Sequence, residues 1–261
     1  GYAVFYFTRK SFTFASPFLA QELGLSKWHI GFLGSVLYVT YGISKFISGA
    51  QSDRSNPRYF MAIGLIITGF CNIAFGLSSS FALMVVFWGL NGWFQAWGWP
   101  ACCKSLTYWF KQSDRGLWYS ITSTSHNVGG ALIPVIAVFA AGQWGWRYAM
   151  FLPAVISIGM GFFLINRLRD VPESIGLPPA EVPARSHYVP TQPNLLSMKE
   201  IMFNHVLNNK YVWIFAISYF FVYVVRTAVN DWSLFYLQEE KAFTYVLASK
   251  AVACFEMGGF V

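Results

Sequence analysis

Charge is almost excluded from eight long stretches of this chain, and no other feature constrains its fold so strongly. The stretches cover residues 2–20, 28–50, 59–78, 81–109, 117–141, 145–166, 211–237 and 244–261. A run of about 20 predominantly apolar residues is what a helix needs to cross a bilayer. Composition removes the soluble alternative: 56% of positions are hydrophobic, 20% aromatic and 11% charged, about half the charge of an ordinary soluble domain. One soluble core of this size could not hide 26 phenylalanines and 11 tryptophans. The expectation is an all-α integral membrane protein. The fourth run is too long for a perpendicular span and is expected to tilt or to reach beyond the bilayer. Cys71, Cys102, Cys103 and Cys254 all fall inside apolar runs, so they read as free packing thiols rather than a disulfide framework.

Basic residues orient the bundle, because cytoplasmic loops carry the excess of lysine and arginine. Arg54, Arg58, Lys111, Arg115, Arg167, Arg169, Arg185, Lys199 and Lys210 follow spans two, four and six, whereas Lys27, Arg147 and Lys241 lie on the other side. The even-numbered loops and the N-terminal side are therefore expected in the cytoplasm. The same bias accounts for most of the +7 net charge, and no basic domain remains to bind nucleic acid. Residues 167–210, with Pro172, Pro178, Pro179, Pro183, Pro190 and Pro193, read as one long cytoplasmic linker. It separates a six-span lobe at 1–166 from two further spans at 211–261. The first span opens without methionine and the last stops at the chain end, so a longer protein is expected, with this chain supplying one lobe and the first two helices of its partner.

Transporters are often internally duplicated, and the first and seventh runs match at an offset of about 217 residues. Tyr6-Phe7-Thr8-Arg9 lies over Tyr223-Val224-Val225-Arg226, Ser16 over Ser233 and Phe18 over Phe235. An arginine at the centre of a span costs about 2.5–3.5 kcal/mol on insertion scales. Two in equivalent places need a common reason. Each pairs with a carboxylate for structural purposes, or the two form an anion site between the lobes. Guanidinium offers a fixed fork of donors that matches phosphate and keeps its charge at any working pH.

Helical spacing gathers other groups around each arginine. Tyr2, Tyr6 and Arg9 share one face of the first helix, and Tyr38, Tyr41 and Lys45 share one face of the second. Phenols ending in a cation suit the wall of a wet cavity, although aromatic residues also serve as packing or interface anchors. The fifth span carries Ser120, Thr122, Ser123, Thr124, Ser125, His126 and Asn127. His126 either contacts the ligand or is a satisfied hydrogen-bonding residue. Lys10 needs a carboxylate, and Asp231 and Glu256 are the candidates in the second lobe. Lys250, six residues from Glu256, lies on a different face, and its role is unassigned.

The loop after span two reads Gly49-Ala-Gln-Ser-Asp53-Arg54-Ser-Asn-Pro-Arg58, which resembles the cytoplasmic loop signature of the major facilitator superfamily. Longer strings are similar to its organophosphate:phosphate antiporter branch. They are Gly1-Tyr2-Ala3, Thr8-Arg9-Lys10, Tyr41-Gly42-Ile43-Ser44-Lys45-Phe46, Trp97-Gly98-Trp99-Pro100, His126-Asn127-Val128-Gly129-Gly130 and Asn230-Asp231-Trp232. Gly24-Leu25-Ser26-Lys27, Arg167-Leu168-Arg169-Asp170 and Phe255-Glu256-Met257-Gly258-Gly259-Phe260 lean toward hexose-6-phosphate members.

The resemblance implies a major facilitator fold of twelve spans, of which nine to twelve are missing here. It implies that Arg9 and Arg226 bind phosphate, that His126 touches substrate, and that Lys45, Tyr2, Tyr6 and Tyr41 line the cavity; Tyr223, which lies over Tyr6 in the repeat, is expected to bind substrate with them. Lys10, Asp231 and Glu256 match interlobe salt-bridge positions, and Gly49, Asp53, Arg54 and Arg58 match the gating loop. Thr122 and Ser123 depart from the tryptophan and asparagine of related members, so the sugar-side contacts differ. The expected activity is exchange of a sugar phosphate, glucose 6-phosphate foremost, for inorganic phosphate by alternating access in a bacterial-type inner membrane. The lipid bilayer is the surrounding partner, a monomer the expected state, and no cofactor or metal is implied. A sugar-phosphate receptor signalling to a membrane kinase, and a glycerol-3-phosphate antiporter, are the alternatives. An enzyme is not expected, since no nucleophile–base pair, metal-ligand cluster or nucleotide loop is legible. An anion channel fits two arginines on equivalent helices less well than a carrier does.

Overall fold

The computed structural model describes residues 1–180 and 207–258. Most of the expected linker, including Arg185, Lys199, Pro183, Pro190 and Pro193, lies outside them, as do 259–261 of the eighth span. Nine α-helices make up the described part, with no strand among the described residues: α1 (Tyr2–Leu23), α2 (Lys27–Arg54), α3 (Pro57–Leu77), α4 (Phe81–Gln95), α5 (Gly98–Trp109), α6 (Gln112–Trp144), α7 (Trp146–Arg167), α8 (Lys210–Glu239) and α9 (Tyr245–Gly258). A single 3-10 turn at Pro172–Ile175 follows α7. Five of the helices, α2, α3, α6, α7 and α8, are each long and apolar enough to cross a membrane. At 33 residues, α6 runs about 50 Å and exceeds the expected 117–141 span at both ends.

Local chemistry sets the boundaries. The first helix ends where Gly24 takes a left-handed φ of 62°. The second begins at Ser26, whose backbone N–H donates to His29 Nδ1 at 3.2 Å. Asn56 accepts from the Arg58 backbone N–H at 3.0 Å, with Pro57 at the first helical position of α3. Asn209 caps α8 in the same way, on the Tyr211 N–H.

The fourth span departs from expectation: instead of one tilted helix it is broken at Ala96–Trp97 into α4 and α5. Pro100 has no N–H to give the Ala96 carbonyl, and Trp97 N–H bonds to Phe94 rather than to Trp93. Two carbonyls are thereby freed at membrane depth, where leaving them unpaired is costly. Serines of α2 take both: Ser48 Oγ donates to Ala96 O at 3.2 Å and Ser44 Oγ to Trp93 O at 2.7 Å. Replacing either serine with alanine should lower stability by about 1 kcal/mol, read as a drop in melting temperature in detergent. An unchanged melting point for both would show that the break is held by packing alone.

The core of the first seven helices is aromatic and continuous, with Phe5, Phe14, Phe75 and Trp88 all at most 1% exposed. The first helix is surrounded, packing on α6, α7 and α3, so that residues on every side of it are buried. Helix α9 packs along α6. By contrast, every residue of α8 from Lys210 to Val225 is exposed, and its first half-buried residue is Arg226.

Candidate anion site

On α1, Tyr2 and Tyr6 meet edge to face with ring centroids 5.8 Å apart. One turn farther on, the Arg9 guanidinium lies 5.0 Å from the Tyr6 ring centroid and 4.3 Å from that of Tyr41 on α2. The Lys45 ammonium lies 5.0 Å from the centroid of the same Tyr41 ring. Two aromatic faces hold this guanidinium in place, while its buried Nε and Nη2 have no partner among the described residues. Such donors in a buried site ask for an anion. The expected faces, Tyr2–Tyr6–Arg9 and Tyr41–Lys45, are thus brought together.

Across from this wall, α6 and α9 are drawn in by two small residues. A Cβ on Gly129 would fall 2.5 Å from the Ala3 carbonyl oxygen, and one on Gly130 would fall 2.9 Å from Glu256 Cδ. Without glycine at both positions neither α1 nor α9 reaches α6 so closely. His126, one turn earlier on α6, faces the Tyr6 ring at 5.9 Å and lines a cavity of about 920 Å³ together with Asn127, Val222, Val225, Arg226 and Glu256. Arg226 Nη2 donates to Glu256 Oε2 at 3.4 Å. Tyr6 joins the two walls through its ring, which lies against Arg9 and against His126 of the cavity that Arg226 lines.

The pairing of the carboxylates corrects one expectation. Glu256, with its side chain 4% exposed, pairs with Arg226 rather than Lys10, because its contact with Gly130 holds it beside α8. Lys10 Nζ reaches Asp231 Oδ1 at 3.0 Å. Asp231 also accepts from Tyr38 Oη at 2.6 Å and from Thr13 Oγ1 at 3.4 Å, so Tyr38 belongs to this contact and not with Tyr41 and Lys45. Arg9, Tyr38, Trp88, Thr227 and Asp231 line a separate cavity of about 140 Å³. Trp232 sits over Gly31 of α2, Tyr245 Oη donates to Phe14 O at 2.6 Å, and Lys27 pairs with Glu239 at 2.5 Å. All these ties between α1–α2 and α8–α9 lie on the side of Arg9 away from the Gly49–Arg58 loop.

Tyr223 and the gating loop are placed differently from expectation, whereas Lys250 stands apart from Glu256 as its spacing implied. Tyr223 is 52% exposed and lies 6.0 Å from the Tyr219 ring, off the walls just described. Lys250 is exposed and distinct from the Arg226–Glu256 pair. In the gating loop Arg58 bonds to Ile165 O at the end of α7, while Asp53 and Arg54 are exposed with no ion pair among the described residues. Gly49 has open space at its α-carbon. The end of α2 is held instead by Lys104 on α5, whose ammonium donates to the carbonyls of Ser52, Asp53 and Ser55 at 2.9, 2.8 and 2.7 Å. A cation on the last carbonyls of a helix satisfies them and its dipole together. A lysine lying beyond Pro100, late in the expected fourth span, was the available signal.

Comparison with known proteins follows the same lines. The sequence profile of the Major Facilitator Superfamily matches residues 1–261. The chain is 57% identical to the "Probable hexose phosphate transport protein" of Chlamydia trachomatis serovar D, over 99% of this chain and 59% of that protein. It is 46% identical to the "Membrane sensor protein UhpC" of Salmonella typhimurium, over 100% and 60%. Against the "Glycerol-3-phosphate transporter" of Bacillus subtilis it is 42% identical, over 94% and 56%. The chain therefore spans under two thirds of the length of these relatives. In fold it is similar to a bacterial homolog of the human lysosomal transporter Spinster, crystallised in an inward-facing and occupied conformation. That match has a TM-score of 0.75 and 16% identity, covering 98% of this chain and 56% of the other.

Proposed function

The chain belongs to the major facilitator superfamily and is a multi-pass integral membrane protein, and from that premise we propose that it forms part of a secondary active transporter for sugar phosphates. Its relatives fit the organophosphate:phosphate antiporter branch. The reading is exchange of a hexose phosphate, glucose 6-phosphate foremost, for inorganic phosphate by alternating access. Residues 1–166 are one lobe, 167–210 a cytoplasmic linker, and 211–261 the opening helices of the second lobe. The membrane is a bacterial-type inner membrane with the Gly49–Arg58 loop in the cytoplasm, and the carrier works as a monomer.

One observation carries this reading: a buried guanidinium with unpartnered donors on α1 and a second, partly exposed guanidinium on α8, with Tyr6 against the first and His126, beside the Tyr6 ring, lining the cavity of the second. A phosphoryl group gripped by Arg9 and Arg226 draws the lobes together. Without it, two cations approach across a narrowing gap of low dielectric, which disfavours the occluded state. Obligate exchange follows from that repulsion. The ties at Asp231, Trp232 and Lys27 join α1–α2 to α8–α9 on the side away from the Gly49–Arg58 loop, which on this reading is the closed side of the carrier. On this reading His126 and Lys45 meet the same anion.

The 46% identity to a membrane sensor favours a second reading, in which the same site reports sugar phosphate to a membrane kinase. Proteoliposomes holding the full-length protein, loaded with phosphate, distinguish the two. Labelled phosphate should enter in counterflow and be chased by glucose 6-phosphate more effectively than by glycerol 3-phosphate. Sugar-phosphate binding without counterflow would instead establish the receptor.

A further inference from the structure

Away from the site, the least lipid-like feature of the bundle is a set of amides with no exposure. Asn72 on α3 and Asn91 on α4 are 0% exposed, and Gln95 on α4 is 1% exposed. Asn72 Nδ2 donates to Ser11 Oγ at 3.0 Å and Asn91 Nδ2 to Asn72 Oδ1 at 2.6 Å. Gln95 Nε2 donates to Thr8 Oγ1 at 2.8 Å and to Asn91 Oδ1 at 3.1 Å. A weaker bond runs from Asn91 Nδ2 to the Thr8 carbonyl at 3.5 Å. Among the described residues, every side-chain bond from α3 or α4 to α1 ends on Thr8 or Ser11, the two residues that bracket Arg9 and Lys10.

That placement matters because of how α1 is buried. An amphipathic helix is set about its axis by its apolar stripe. Here Val4, Phe5, Phe7, Phe12, Phe14, Ala15 and Leu19 spread over about half of the circumference, and Lys10, Thr13 and Ser16 are buried on the other half, so apolar burial sets the rotation only within a broad arc. Hydrogen bonds set it more finely. Turning α1 by one residue swings Arg9 through about 100° and breaks every bond of the network. Directional buried polar contacts of this kind specify a register.

We propose that Asn72, Asn91 and Gln95 are positioning residues that fix the rotation of α1 and thereby aim Arg9 into the phosphate site; this rests on the reading of Arg9 as a phosphate ligand. They touch no substrate and act through the Thr8–Ser11 turn. A buried amide network placed for stability alone would give a different pattern of losses.

The test measures affinity for inorganic phosphate by titration calorimetry on the purified full-length protein, alongside melting temperature. Asn91→Leu should weaken phosphate binding about tenfold or more, as expected when a binding group is misaimed. Phe75→Leu, a packing change in the same core against Phe12 and Trp88, should stay within about twofold at an equal loss of melting temperature. Asn91→Ser, which preserves one donor, should recover part of the affinity, and it takes the place of Asn91→Leu if the leucine protein does not insert. In an Arg9→Lys background, Asn91→Leu should add less than about twofold. Equal affinity losses for Asn91 and Phe75 variants of matched stability, or full additivity with Arg9→Lys, would overturn the proposal. If Arg9→Lys alone leaves phosphate affinity unchanged, the phosphate reading of Arg9 fails, and this proposal falls with it.

Discussion

Arg226→Lys in the full-length protein should cut phosphate exchange in proteoliposomes by about two orders of magnitude, because lysine keeps the charge and loses the planar fork. The substitution is a sharp one in this setting. Glu256, buried against Gly130, is the carboxylate Arg226 meets at 3.4 Å, and an ammonium can still neutralise it. Folding should therefore be little affected, with melting temperature close to that of the parent protein. What disappears is the ability to leave Glu256 and take two phosphoryl oxygens at once. Exchange is measured as uptake of labelled phosphate against internal phosphate, with insertion checked by protein recovery. Retained parental rates would sink the two-arginine clamp and leave Arg226 as a structural charge.

The reason Arg226 was legible from sequence and Tyr38 was not is instructive. A guanidinium at mid-span conflicts with its surroundings wherever the helix is turned, so its position alone asks for an explanation, and the Tyr-x-x-Arg repeat doubled the signal. A tyrosine at mid-span suits packing, a cavity wall or a hydrogen bond equally. Spacing placed Tyr38 beside Tyr41 and Lys45 on one face, yet its hydroxyl turns to Asp231 on α8. That partner is 193 residues away. Helical periodicity carries no information about which opposing helix a face meets. The same limit explains Glu256, whose choice between Lys10 and Arg226 is made by the absence of a side chain at Gly130 on another helix.

The eight apolar runs were readable because a bilayer imposes one length and one chemistry on every span. The break in the fourth was not, although Pro100 stood in plain sight. Proline frees a carbonyl, but whether the helix then bends, breaks or runs on depends on who takes that carbonyl. Here the takers are Ser44 and Ser48 on α2. The buried amides of α3 and α4 went unnoticed for a related reason. Asn72, Asn91 and Gln95 are single polar residues in separate spans, and only the fold brings them onto the two sides of Arg9.

A second large effect is expected at Asp231, where one carboxylate ties α8 to both α1 and α2. Asp231→Asn leaves Lys10, with a side chain only 10% exposed, without its counter-charge. Breaking a buried pair from one side costs several kcal/mol; the 21% exposure left at Asp231 brings the expectation down to about 2–3 kcal/mol. Removing the whole cluster should cost far less. The triple change Lys10→Met, Tyr38→Phe and Asp231→Leu discards both charges and the hydroxyl that would otherwise lose its acceptor, and should recover all but about 1 kcal/mol. Conformation should follow the same pattern. In a cysteine-free background, Ser16→Cys, at a position 1% exposed, reports on the small cavity that Asp231 helps to enclose. Adding Asp231→Asn should open that thiol to an impermeant reagent applied from the side away from the Gly49–Arg58 loop, since the tie closing that side is lost. If Asp231→Asn leaves both melting temperature and thiol reactivity unchanged, closure of that face rests on Trp232 over Gly31 and on the Lys27–Glu239 pair at the rim. Phosphate binding would then have to move the lobes against those contacts rather than against a charge cluster.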